Sequence, residues 1–92
     1  MMYATKIRMK SGFYYSQNLL EIDSIYITGC ETPGFYKKSV LYDFLKEHSG
    51  EIRVNVSPYP ALVPALSVNY EKYVRSSPNG STHDNLLSLP RE

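Results

Sequence analysis

Ninety-two residues, with ten Lys+Arg against nine Asp+Glu, carry a net charge of +1; a dedicated duplex-DNA binder, which needs a strong basic excess to displace counterions, is not expected. Hydrophobic residues at 42% and charged residues at 21% exclude an intrinsically disordered chain. At this length the expectation is a single domain spanning residues 1–92, burying roughly 60–65% of the surface its unfolded chain exposes.

Residues 3–9, YATKIRM, alternate, with Tyr3, Thr5, Ile7 and Met9 on one face and Ala4, Lys6 and Arg8 on the other, the period of a half-buried strand. LEIDSIYIT, residues 20–28, predicts a second strand whose apolar phase flips at Asp23-Ser24, as a bulge would make it. TPGFYKKSVLYDFLKEHSG predicts one helix, with Thr32 as cap, Pro33 in the first turn and Gly50 just past the end. Its apolar stripe is Tyr36, Val40, Leu41, Phe44 and Leu45, and Lys37, Lys38, Lys46 and Glu47 take the wet side.

EIRVNV, residues 51–56, alternates again and predicts a third strand. The prolines at 58, 60 and 64 preclude a central strand and favour an extended edge or loop. Leu66 and Val68 lead into a turn near Asn69–Glu71, from which Tyr73-Val74-Arg75 return as a hairpin. The fold class expected is α+β: a mainly antiparallel sheet of about five strands with one helix packed on a face, in the order β-β-α-β-β-β.

Cys30 is the only cysteine, so neither an intramolecular disulfide nor a thiolate zinc site is expected, and a partly buried structural role fits it. His48, at the helix end, has an ordinary place beside the helix dipole, and two histidines without spaced partners give no metal signal. MMYATKIRMKSG has no apolar core and does not read as a signal peptide. No apolar run nears the roughly 20 residues of a membrane-spanning helix, so a cytoplasmic location is expected. Nine tyrosines without a tryptophan admit two readings: half-buried strand positions, or a stacking or interface surface.

The segment EKYVRSSPNGSTHDNLLSLP resembles the domain-of-unknown-function family 3892, short bacterial and phage proteins, through Lys72, Tyr73, Val74, Arg75 and Ser76, then Asp84, Asn85, Leu86, Leu87, Leu89 and Pro90. Members often carry Asn-Gly at the hairpin, where this chain has Asn69-Tyr70. Tyr70 suits the positive φ of a type I′ turn poorly, so a different turn is expected.

Ser81, His83 and Asp84 hold the letters of a hydrolase triad, but residues packed into four consecutive positions do not make a converging relay, so no catalytic residue and no enzyme is expected. Asp84 instead fits a cap on a short turn through Asn85-Leu86-Leu87. The polar loop offers the best ligand site. Arg75 supplies a fork of donors, Ser76, Ser77, Ser81 and Thr82 supply hydroxyls, Asn79, His83 and Asn85 supply further polar groups, and Tyr73 a ring. Its alternative is a solvated turn with Arg75 paired to Glu71 or Asp84.

The function expected is a small non-enzymatic binding protein capturing an anionic, nucleotide-like molecule between protomers of a homo-oligomer, without cofactor or metal. Phage membership of the look-alike family implies one version, a mobile-element protein that sequesters a host immune signalling nucleotide. The alternative is a protein-interaction module that meets a partner chain through its sheet edge and exposed aromatics.

Overall fold

Two apolar strands lie at the centre of the protein, whose computed structural model describes residues 1–78 and 84–92. β1 (Met2–Met9) and β2 (Ile22–Thr28) pair antiparallel, β3 (Gly34–Lys37) adds antiparallel to the outer side of β2, and β4 (Ile52–Val54) adds parallel to β1. The helix α1 (Lys38–Glu47) separates β3 from β4. A second, two-stranded antiparallel sheet, β5 (Leu62–Leu66) and β6 (Lys72–Ser76), packs against α1. The class is α+β, as expected, with six strands where about five were anticipated.

The bulge read at Asp23 is present: Ser24 faces Arg8 and Ile22 faces Met9, so Asp23 is the extra residue. It keeps Ile22, Ile25 and Ile27 all inside despite their mixed parity. A second bulge corrects the reading of β1. Ala4 faces Ile27 and Lys6 faces Tyr26, leaving Thr5 over, so Ala4 rather than Thr5 joins Ile7 and Met9 in the core.

The helix is shorter than expected at its start. Thr32 does not cap it and Pro33 is not in its first turn, because Gly34–Lys37 runs as β3. Phe35 and Tyr36 are strand-favouring residues, and here they meet the open backbone edge of β2, which outweighs a continuous helix. Leu41 and Leu45 are buried as predicted, together with Tyr42, while Val40 is half exposed. Lys38, assigned to the wet side, is only 8% exposed, its Nζ bonded to the Leu20 carbonyl and to Glu71. His48 is the C-cap, stacked on Phe44 at 4.5 Å.

Pro64 lies in β5, tolerated because a two-stranded sheet has only edges. The β5–β6 loop is a three-residue turn with a bulge: Tyr70 N donates to Ser67 O at 2.9 Å and Ser67 N to Glu71 O at 3.0 Å. It is not a type I′ turn, yet Tyr70 still takes the left-handed region at φ 63°. Ser67 Oγ accepts from the amides of Asn69 and Glu71 and holds the turn closed. Because Tyr70 is 82% exposed, its ring contributes little packing. Tyr70→Gly is expected to stabilise the protein by about 0.5–1 kcal/mol, relief of the Cβ clash less glycine's unfolded-state entropy, read as a higher urea midpoint. A lower midpoint would show that the ring holds a contact in solution.

The C-terminal segment is built into the fold. A 3-10 turn, Asn85–Ser88, puts Leu86 and Leu87 into the core, followed by Leu89. Ile7 N then donates to Pro90 O and Glu92 N to Ile7 O, so the tail extends the sheet beside β1. Arg91 donates to the carbonyls of Tyr14, Ser16 and Leu87, tying down the long loop after β1. No helix among the described residues is long and apolar enough to cross a membrane.

Candidate functional site

Strand pairing divides the predicted ligand residues of β6. Val74 and Ser76 point inward, whereas Tyr73 and Arg75 share the opposite face. Ser76 is committed to Asp84, its Oγ donating to Oδ1 at 2.8 Å and its N to Oδ2 at 3.1 Å. Ser77 N donates to Ala61 O, and the buried Asn85 donates from Nδ2 to Ser57 O at 3.1 Å. Asn79, Gly80, Ser81, Thr82 and His83 lie outside the described residues. The exposed Arg75 side chain makes no hydrogen bond or ion pair among the described residues; Glu71 and Asp84 are engaged elsewhere. Tyr73 and Asp84 do meet, in a shallow cleft of about 460 Å³ walled by Gln17, Asn18, Leu19, Leu20 and Leu87.

Four lysines converge elsewhere. The end of β1, the β3–α1 junction and the start of β6 bring Lys10, Lys37, Lys38 and Lys72 around one cleft of about 440 Å³, with Asp23, Ser39, Tyr70 and Glu71. Glu71 lies at its base, 2.7 Å from Lys38 Nζ and 3.6 Å from Lys10 Nζ. Asp23 takes Lys37 at 2.9 Å, and Asp43, on the flank of α1, takes Lys72 at 2.8 Å. The lining itself holds four lysines and two carboxylates, and with Asp43 on its flank the group carries four positive charges against three negative. α1 begins at this cleft with Lys37 as its N-cap, no side-chain cap and no acidic residue in its first turn. Its unpaired amides and the positive end of its dipole add to the same potential.

Lysine contacts set the titration of the carboxylates. The hydrogen bond from Lys38, more than the Coulomb attraction of Lys38 and Lys10, holds Glu71 below the usual carboxylate range. The hydrogen bond from Lys37 does the same for Asp23. Asp43's hydrogen bond pushes Lys72 up. Asp23 and Glu71 are therefore favoured as carboxylates and Lys72 as an ammonium. The cleft can bind an anion by adding acceptors to amines that each already hold one, the arrangement that suits a phosphate as a point-charge partner.

The sequence reading missed this cleft, since its lysines are scattered over positions 10, 37, 38 and 72 and only the fold collects them. No signal for it was present in the sequence: with the helix expected from Thr32-Pro33, Lys37 and Lys38 read as its wet side, and only β3 places them at the helix start.

The model of a family described as protein of unknown function, DUF3892, matches residues 36–90, from β3 through the C-terminal 3-10 turn, more than half of the chain. No curated protein and no solved structure matches.

Proposed function

Taking as premise that the chain belongs to the DUF3892 family of proteins of unknown function, we propose that it is a small non-enzymatic binding protein that captures an anionic, nucleotide-like small molecule. The observation that carries this reading is the cleft at the start of α1, where four lysines from three parts of the chain converge in a volume suited to a small ligand. Phosphate groups would meet Lys10, Lys37, Lys38 and Lys72, with Tyr70 at the rim. Arg75, its exposed side chain without a partner among the described residues, is a further cation available to a larger ligand. An open cleft on so small a protomer is best closed by a second copy, so a homo-oligomer belongs to the proposal. Its specific form is a phage or mobile-element protein that sequesters a host immune signalling nucleotide, an argument from analogy.

Isothermal titration with adenosine triphosphate and with pyrophosphate tests it. The wild type is expected to bind, and Lys10→Ala and Lys72→Ala each to weaken affinity by about tenfold, one charge-assisted bond's worth. Unchanged circular dichroism would show both variants folded. A wild type silent to both probes overturns the reading, and wild-type affinity in both variants removes the cleft from it.

A second reading, a protein-interaction module, draws on an apolar hollow of about 250 Å³ lined by residues that include Met2, Cys30, Tyr36, Val40 and Phe44. It calls for a stable complex with a partner chain and no heat from either anion.

A further inference from the structure

The face of the four-stranded sheet that points away from the core carries cations and rings in alternation. Cross-strand pairing sets them in two rows. Arg8, Ser24 and Lys37 form one, and Lys6, Tyr26 and Phe35 form the next, two residues along the strands, or about 6.7 Å. The rows are knitted by ring contacts. Tyr26 and Phe35 meet edge to face with centroids 5.1 Å apart, Lys6 Nζ lies 4.7 Å above the Tyr26 ring, and the Arg8 guanidinium lies 4.0 Å from the Phe35 centroid.

Two of the three cations are paired with acids, Lys6 with Glu92 at 2.8 Å and Lys37 with Asp23, whereas the exposed Arg8 side chain makes no hydrogen bond among the described residues. A guanidinium over an aromatic ring and free of carboxylates keeps N–H donors for a phosphate. Lys37 also lines the lysine cleft, so the sheet face and the start of α1 meet at this residue.

From this lattice we infer that the open sheet face binds single-stranded nucleic acid, with bases stacked on Tyr26, Phe35 and the Arg8 plane and phosphates on Lys6, Arg8 and Lys37. A flat sheet with half-buried rings receives bases whose faces are free; a duplex hides those faces and offers only its backbone. The charge balance agrees, since +1 is too little for backbone-only duplex binding while stacking supplies sequence-tolerant affinity. The inference shares Lys37 with the proposed anion cleft but is carried by Tyr26, Phe35 and Arg8, which the cleft does not contain, and stands without it.

The test is fluorescence anisotropy with labelled oligo-dT and oligo-U of roughly a dozen nucleotides, a length in the range one small domain covers, and a mixed-sequence duplex of the same length. Both single strands, or one of them, should bind and weaken steeply as salt rises, with the duplex far weaker. Phe35→Leu, which keeps an apolar side chain on β3 but removes the ring, should lower affinity about tenfold, and Arg8→Ala at least as much. Lys72→Ala, expected to impair pyrophosphate binding, should leave oligonucleotide affinity near wild type, so failure of this surface and failure of the cleft are told apart. No binding of either strand, equal binding of the duplex, or wild-type affinity in Phe35→Leu each overturns the inference. Preference for oligo-U over oligo-dT, or the reverse, would name RNA or DNA as the source.

Discussion

Leu86→Ala, six residues before the last, is expected to lower stability by about 3 kcal/mol, as a central-core substitution would. Leu86 is 0% exposed. It sits on the 3-10 turn that contacts both β1 and β6, so its side chain fills the junction between the two sheets. Truncation removes buried methyl groups and leaves a cavity whose walls belong to paired strands, which have little freedom to collapse. The expected loss is a large share of the 5–15 kcal/mol typical of a small domain. Urea unfolding followed by circular dichroism should show a lower midpoint at unchanged slope. Ser88→Ala, one turn position away and exposed, should leave the midpoint within about 0.5 kcal/mol of wild type. A loss below about 1 kcal/mol at Leu86 would mean that the tail frays in solution and that the strand-like bonds of Pro90 and Glu92 to Ile7 do not hold.

The turn capped by Asp84 was legible in the sequence because its cause is local. Three leucines within four positions after a capping aspartate have no use for water, and an Asp-Asn-Leu-Leu run is a turn with an apolar underside. The bulge at Asp23 was legible for the same reason, since a phase flip in a period-two pattern has few other physical causes. The bulge at Thr5 was not. There the alternation of YATKIRM is unbroken, and only pairing with β2 decides that Ala4, small and apolar, goes inward while Thr5 is left over. The missing strand has the same origin: Gly34–Lys37 carries helix-compatible spacing, and its strand state is imposed by the β2 edge it meets.

Charge was the least legible part. Lys38 reads as solvated in any helical wheel, and its burial depends on Leu20 and Glu71, which lie 18 and 33 positions away in the chain. The same long-range assembly makes the lysine cleft. The polar loop after β6 drew attention because its residue types are concentrated in sequence, but concentration is the wrong measure for a site. Within the described residues Ser76 and Asn85 have bonds to Asp84 and Ser57, and it is Arg75, on the face they do not share, that keeps its donors open.

Asp84→Ala should cost about 3 kcal/mol, far more than a surface helix cap. The carboxylate serves two elements together: Oδ1 accepts from Leu86 N at 2.9 Å and from Ser76 Oγ at 2.8 Å, while Oδ2 accepts from Ser76 N at 3.1 Å. Loss of the cap alone is worth about 1 kcal/mol. Ser76, however, is 3% exposed, so its amide and hydroxyl would be left buried without an acceptor, at roughly 1–3 kcal/mol. Asp84→Asn keeps Oδ1, so cap and hydroxyl bond survive, but its NH2 in the Oδ2 position meets the Ser76 N–H donor to donor; the loss should be about 1–2 kcal/mol, still less than for Asp84→Ala. Ser76→Ala in the Asp84→Ala background separates the two roles. If the carboxylate joins the end of β6 to the 3-10 turn, the double variant is more stable than the sum of the single losses predicts, by about 1 kcal/mol of coupling. Additive losses would make Asp84 a cap and nothing more, and the end of β6 would then be held only by its pairing with β5 and by Ser77's bond to Ala61.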